Sequence, residues 1–370
     1  MGLNYTSQLT FSNKTRIIWI DVAKGIGIIL VVLGHAPRLE LLNKYPVMQF
    51  INSFIYGFHM QFFFFLSGYV SEKHKASSFL KTIERKIKAL LIPWVVYGAI
   101  IYLIVFVANL IPQIESILSA SSYQLISIED YILMALDSNN PYSYHLWYIF
   151  ALFWIQIIVD GVKRIIHMLT KEGTKAYNAI LWFVLLIEII IFFFVGTHNQ
   201  TLFFIKKNIV FYTLGVIIGR TKLDFRSNFY VVFGIVGILF TSLNVIFVKN
   251  EMISNSNLIV TLKDLHILIG IPSMIFFLVY ISRKIERTWI SNGLQSLGRY
   301  SYNVYLLHQP FCCAFLGIIL LKWIGGTLLG DMLSIAICVI MSTVFPIIII
   351  RMMYKLGLGR LMKLLLNISI

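Results

Sequence analysis

RIIWIDVAKGIGIILVVLGH, from Arg16 to His35, is the stretch that decides the fold. Its mostly apolar residues rise about 1.5 Å each as a helix, enough to cross the hydrocarbon of a bilayer. Inside it stand Asp21, Lys24 and His35. A charged side chain near the centre of a span costs about 2.5 kcal/mol or more, so retained ones mark functional positions by default. At about 100° per residue the three fall within about 60° of one another, with Lys24 and His35 about 16 Å apart along the axis. One helix face therefore carries a cation near one side of the membrane and an imidazole near the other. Asp21 and Lys24, at i and i+3, can also simply neutralise each other; that pairing leaves His35 unexplained.

The rest of the chain has the same character. It is 58% hydrophobic and 13% charged over 370 residues, with a mean hydropathy of +0.82. Soluble domains carry about 25% charged residues, so this reads as an all-α polytopic membrane protein. Apolar runs of about 20 residues predict ten spans, near 17–36, 50–70, 90–111, 146–166, 179–196, 202–219, 229–248, 265–282, 302–321 and 332–350. The run 202–219 is the weakest, because it holds Lys206 and Lys207.

A net charge of +15 raises nucleic acid as a partner, but its distribution argues for topology. With the loops assigned alternately to two sides, 23 of the 31 Lys and Arg fall on the N-terminal side and 5 on the other, with Lys24, Lys206 and Lys207 inside spans. The positive-inside rule then places both termini in the cytoplasm. Adding or removing one span would destroy the alternation. The polar residues 1–15 and the lack of a small-residue cleavage site predict that the first run stays as a span. The chain reads as one membrane-embedded unit over 1–370 with short cytoplasmic tails and no repeat. Cys312, Cys313 and Cys338 lie in spans without metal-ligand spacing and read as packing residues; no metal is expected.

Two connections carry a signal. Residues 112–144 hold Glu115, Glu129, Asp130 and Asp137 and no Lys or Arg. They read either as a cap over a cavity or as a plain acidic external loop. The segment 71–89 is the most basic and reads as an amphipathic helix with Lys81, Arg85 and Lys88 on one face. Anionic lipid headgroups and a phosphorylated cofactor are both ligands for that face. Pro93 is expected to interrupt the start of the third span.

Polar residues inside the other spans complete the candidates. The run FHMQFFFFLSGY (Phe58–Tyr69) places His59 near the outer half and Ser67 and Gly68 near the cytoplasmic end; its Phe residues read as core or lipid-facing bulk. In HLWYI (His145–Ile149), Trp147 and Tyr148 suit an interfacial aromatic belt, and His145 a cavity wall. In SYNVYLLHQP (Ser301–Pro310), Ser301, Tyr305 and His308 recur at i, i+4 and i+7 as one polar stripe, and Pro310 breaks the helix. Lys206 and Lys207 either snorkel or line an anion path. Glu188 has no evident partner in sequence.

These motifs resemble the acyltransferase 3 family of integral membrane O-acyltransferases. Lys24, ten residues and His35 are similar to that family's basic residue, ten, histidine motif, although many members carry Arg at the first position. FFFLSGY (Phe63–Tyr69), RKIKALLIPW (Arg85–Trp94) and SYNVYLLH (Ser301–His308) resemble three further motifs, in the same order. The resemblance implies transfer of an acyl group, usually acetyl, from cytoplasmic acetyl-CoA or another acyl-CoA to a hydroxyl of a cell-surface or lipid-linked polysaccharide. It implies a multi-pass protein of the cell membrane, a bacterial inner membrane in particular, with no role for nucleic acid. His35 would serve as general base or as acyl-accepting nucleophile, with Lys24 and Asp21 beside it. Lys24, Arg85, Lys86 and Ser67 would bind the donor, and His59, His145, Ser301, Tyr305 and His308 are candidates for acceptor or oxyanion contacts. Some members carry a further hydrolase-like domain that passes the acyl group onward; for this chain that step is expected to be absent or supplied in trans. Ten spans with internal cations also fit a transporter or flippase for a glycan or small anion, and an inactive accessory subunit would retain the same motifs.

Overall fold

The computed structural model describes residues 17–72, 78–111, 123–134, 140–221, 223–249 and 256–368, and among them the regular elements are all helical. In chain order they begin with α1 (Ile18–His35), α2 (Leu39–Lys44), α3 (Pro46–Tyr56), α4 (His59–Ser71), α5 (Phe79–Lys86) and α6 (Ile92–Ala108). There follow α7 (Ile128–Met134), α8 (Trp147–Leu169), α9 (Lys175–Phe194), α10 (Gln200–Arg220), α11 (Tyr230–Leu243) and α12 (Ser256–Leu265). The last are α13 (Ile271–Ile285), α14 (Ser291–Arg299), α15 (Ser301–Leu307), α16 (Leu316–Ile324), α17 (Leu328–Lys355) and α18 (Gly359–Leu366). Several starts are set by side-chain oxygens that accept orphan N–H groups of the first turn. Thr174 caps α9 through the Tyr177 N–H at 3.1 Å, Asn199 caps α10 through that of Leu202 at 3.0 Å, and Thr327 caps α17 through that of Gly330 at 3.1 Å.

Among the described residues, seven helices are long and apolar enough to cross a membrane, and the bent pair α15 with Phe311–Ile324 makes an eighth. The ten expected spans each have a helical counterpart, but three depart from a plain apolar span. The second divides at Gly57–Phe58 into α3 and α4, because the chain turns there instead of continuing. The fourth, α8, runs 23 residues but carries Asp160, Lys163 and Arg164 in its last turns. The ninth bends by 61° at the break before Pro310, as the missing proline N–H dictates. The Tyr97 hydroxyl donates to the carbonyl of Gln309 at that break.

Pro93 does not interrupt its span. Residues 79–108 form one continuous helical run, with a π turn at Ile87–Leu91 just before the proline. Pro93 has no N–H for the Ala89 carbonyl. That oxygen accepts instead from Tyr302 Oη and Asn367 Nδ2, each at 3.4 Å.

Helices in lipid associate by close backbone approach at small residues rather than by hydrophobic burial. Two pairs do so here. On α1 and α14, a Cβ at Gly298 would lie 1.8 Å from the Asp21 carbonyl oxygen, and one at Gly25 2.2 Å from that of Leu294. On α4 and α10, a Cβ at Gly68 would lie 2.0 Å from the Tyr212 carbonyl oxygen, and one at Gly215 2.1 Å from that of Phe65. These contacts hold α4 against α10 and α14 against α1. Phe62, Phe64 and Phe65 are fully buried, so the Phe run is core. Cys312, Cys313 and Cys338 are free and buried.

The described parts of 112–144 fold onto α6. Tyr131 stacks on Tyr102 with centroids 4.5 Å apart, and Tyr142 Oη donates to the Gln124 carbonyl at 2.7 Å. Glu115 and Asp137 lie outside the described residues. On the same side, Lys44 Nζ and Tyr45 Oη each reach Asp331 Oδ2 at 2.7 Å, tying α2 to the start of α17.

Candidate functional site

Helix α4 lines three cavities in succession. At its C-terminal end, Ser71 and Glu72 border a cavity of about 530 Å³ with Arg85, Lys86, Lys163 and Arg164. One turn back, Ser67 and Leu66 line a narrow cavity of about 190 Å³ with Lys24, Tyr148 and Ser301. At its N-terminal end, His59, Met60 and Gln61 line a cavity of about 430 Å³ with His35 and His145. Met60 and Tyr305 line both of the last two. These two side chains therefore stand between the cavity of Lys24 and the cavity of His35.

The glycines of α1 make room for this arrangement. A Cβ at Gly34 would lie 2.9 Å from the Tyr56 ring. Without one, Tyr56 Oη approaches His35 Nδ1 to 3.1 Å. Asn52 Nδ2 donates to the Gly34 carbonyl at 2.7 Å and fixes α3 beside it. Tyr56 thereby ties down one ring nitrogen of His35 and so selects which nitrogen faces a ligand. Tyr123, Pro141 and Tyr144 also line the His35 cavity, here termed the outer cavity, so the described ends of the acidic connection form part of its wall.

The other expected residues separate. Ser67, Ser301 and Tyr305 line the Lys24 cavity, and His59 and His145 the His35 cavity. Tyr305 gives its one proton to the His145 carbonyl at 2.6 Å, so as it stands it is a brace rather than an oxyanion donor. His308 lines neither cavity. It is fully buried, with Nδ1 at 2.9 Å from the Tyr305 carbonyl and 3.1 Å from that of Val304. Its ring lies 5.2 Å from that of His35 and 5.7 Å from that of His145, packing behind both. Asp21 lines none of the three cavities; its carboxylate faces Arg299 Nε at 3.9 Å, across the α1–α14 contact. Arg85 and Lys86 line the basic cavity and Lys24 does not, so the donor-binding set divides in two. Among the described residues no group of His, Cys, Asp or Glu is arranged to hold a metal ion.

The basic cavity matches part of its own charge. Glu72 bonds Lys163 and also Arg220, the latter at 2.6 Å, and Arg220 also reaches Glu172 at 3.0 Å. Glu172 lies on the turn between α8 and α9, and the Arg220 hydrogen bond holds its carboxyl below the usual carboxylate range.

Five contributors were not singled out from sequence for these roles. Tyr148, expected in an interfacial belt, hydrogen-bonds Ser67 Oγ at 2.8 Å inside the narrow cavity, and Trp147 stacks on Phe204 with centroids 4.5 Å apart. Both face the interior, Tyr148 toward Ser67 on α4 and Trp147 toward Phe204 on α10. Tyr56 carried no signal, since tyrosine is ordinary at membrane interfaces. Gln61 and Asn208, in the outer cavity wall, did carry one: an amide inside an apolar run needs a partner. The two doubtful lysines differ. Lys206 donates to the Val195 carbonyl at 2.5 Å at the end of α9, whereas Lys207 lines the outer cavity. Glu188 accepts from Thr213 Oγ1 at 2.9 Å, a partner two helices supply only on folding.

A family model described as an acyltransferase domain matches residues 17–351. No curated protein and no solved structure matches the chain.

Proposed function

The chain belongs to the acyltransferase 3 family and is a multi-pass membrane acyltransferase, and on that premise we propose that it moves an acetyl group from acetyl-CoA to a glycan hydroxyl. The observation that carries this reading is that the Lys24 and His35 cavities are neighbours, with Met60 and Tyr305 walling both. The donor enters from the basic, cytoplasmic side of a bacterial inner membrane. Its phosphates pair with Arg85 and Lys86, where cations are concentrated. Its thioester arm passes Lys24, Ser67 and Tyr148 toward Met60. The acceptor, a surface or lipid-linked polysaccharide, occupies the outer cavity from the other side.

In this reading His35 takes the proton of the acceptor hydroxyl as its oxygen attacks the thioester carbonyl. The tetrahedral oxyanion needs a donor; Ser67 and Tyr148 of the narrow cavity, whose hydroxyls bond each other at rest, take that role by turning a proton from this bond to the oxyanion. The C–S bond then breaks, the ester is released, and the thiolate of coenzyme A takes up the proton. Atoms balance as thioester plus alcohol giving ester plus thiol. The test is acetyl transfer by the purified protein, in nanodiscs, from radiolabelled acetyl-CoA to glycan extracted from its own membrane. Transfer that His35→Ala abolishes while acetyl-CoA binding persists supports the reading. Absence of acetyl-CoA binding by the native protein, or full transfer by His35→Ala, overturns it.

A further inference from the structure

The outer cavity holds more polar chemistry than deprotonating one hydroxyl requires. His145 is 8% exposed, and with one ring nitrogen turned to the Leu306 carbonyl the other has no hydrogen-bond partner within the protein. Gln61 is 4% exposed and its amide oxygen is likewise without one. Asn208 is fully buried; its Nδ2 donates to the Phe204 carbonyl at 2.7 Å, which fixes the amide so that Oδ1 is the idle atom. All three side chains line the cavity of His35. Buried polar groups without partners cost about 1–3 kcal/mol each, so a wall with three of them is built for something that bonds to them.

Lys207 lines the same wall, one residue before Asn208 on α10. Among the described residues it forms no ion pair; its ammonium lies 6.0 Å from the Phe203 ring centre. On its other side is a cavity lined almost wholly by Leu, Ile and aromatic side chains. A lysine covers such a surface with its methylene stem and takes its head to a polar one. The head's polar surface here is the His35 cavity. Amide oxygens accept from hydroxyls, an imidazole accepts or donates, and an unmatched ammonium calls for an anion.

We propose that the outer cavity is the acceptor site and that it takes a negatively charged sugar, whose carboxylate or phosphate pairs with Lys207 while Gln61, Asn208 and His145 bond its hydroxyls. This rests on the acetyl-transfer reading for the word acceptor and adds the substrate class. Lys24 and Lys207 thus divide the charges of the reaction, one on the donor's path and one on the acceptor's.

The test uses glucose, glucuronate and glucose 1-phosphate as probes on the full chain in nanodiscs, with binding read by saturation-transfer NMR. At least one anionic sugar is expected to bind about tenfold tighter than glucose, and 0.5 M NaCl to erase much of the difference. Glucuronate alone binding identifies a carboxylate ligand, glucose 1-phosphate alone a phosphate ligand. Lys207→Gln is expected to bring the anionic and neutral sugars to equal affinity, and Lys207→Arg to restore the preference, which also controls for folding. Acetyl-CoA binding is expected to be unchanged in both variants. Equal binding of all three sugars, binding of none, or a preference that survives Lys207→Gln overturns the proposal. Any of these results accompanied by His35-dependent transfer overturns it alone and leaves the acetyl-transfer reading standing.

Discussion

The basic cavity and the His35 cavity stand at opposite ends of α4 and treat charge in opposite ways. At the basic end Glu72, 5% exposed as a side chain, sits between Lys163 and Arg220, and Glu172 adds a second carboxylate to Arg220. At the other end Gln61, His145 and Asn208 keep idle polar atoms and Lys207 has no ion pair among the described residues. The first arrangement stabilises the fold, because breaking a buried pair leaves an uncompensated charge. The second costs stability and reserves bonding capacity for a ligand. Breaking the Glu72 network should therefore move the melting temperature, and removing a group of the His35 cavity the activity.

His35→Ala gives the largest expected effect. Loss of a general base lowers the acetyl-transfer rate by about 10² to 10⁴-fold, with the melting temperature in detergent within error of the native value; a several-degree drop would erase the contrast between the two ends. Glu72→Gln is its counterpart. With Lys163 and Arg220 both deprived of a carboxylate, it is expected to cost about 3 kcal/mol, the low end for a broken buried pair because both cations reach solvent. Urea unfolding of the purified variant checks this, and an unchanged transition would show that the network contributes nothing. Tyr56→Phe removes one hydrogen bond from His35, worth about 1 kcal/mol, or about fivefold in rate, with no change in acetyl-CoA affinity. A rate equal to native would place Tyr56 outside the catalytic arrangement.

The smallest effect is a pH dependence. Arg220 lowers the carboxyl of Glu172, so the pair's contribution is present above the unfolded carboxyl pKa of about 4.3 and is lost as pH falls through the lower folded value. Glu172→Gln should accordingly lower the melting temperature at pH 7 and not at all once pH has fallen through the folded value, and only slightly at pH 7, since more than half of Glu172 is exposed and the pair is screened by solvent. A difference that grows toward acid pH would reverse the assignment.

Helix positions were legible because lipid imposes one rule on every span: about 20 apolar residues with internally satisfied backbone. The rule failed where local chemistry overrode composition, at the turn of Gly57 and Phe58 that splits one span, and at Pro93, where Tyr302 and Asn367 serve the Ala89 carbonyl and the helix runs on. Lys24 and His35 were legible as candidates for the same reason the spans were, since lipid makes a polar residue conspicuous. Their relation to the other candidates was not. Periodicity placed Ser301, Tyr305 and His308 on one stripe, yet two of them line a cavity and the third is buried behind it.

From the chain alone came the membrane, the helical class, the family resemblance and the axial separation of Lys24 and His35, all properties of one helix in one solvent. Only tertiary structure decided that Tyr56 holds His35, that Tyr148 turns inward to Ser67, that Asp21 belongs to Arg299, and that Lys207 and not Lys206 faces the imidazole's cavity. These depend on which helices approach at Gly25, Gly34, Gly68, Gly215 and Gly298. A missing side chain marks where two backbones can touch but not which two, and that pairing is a property of the whole bundle.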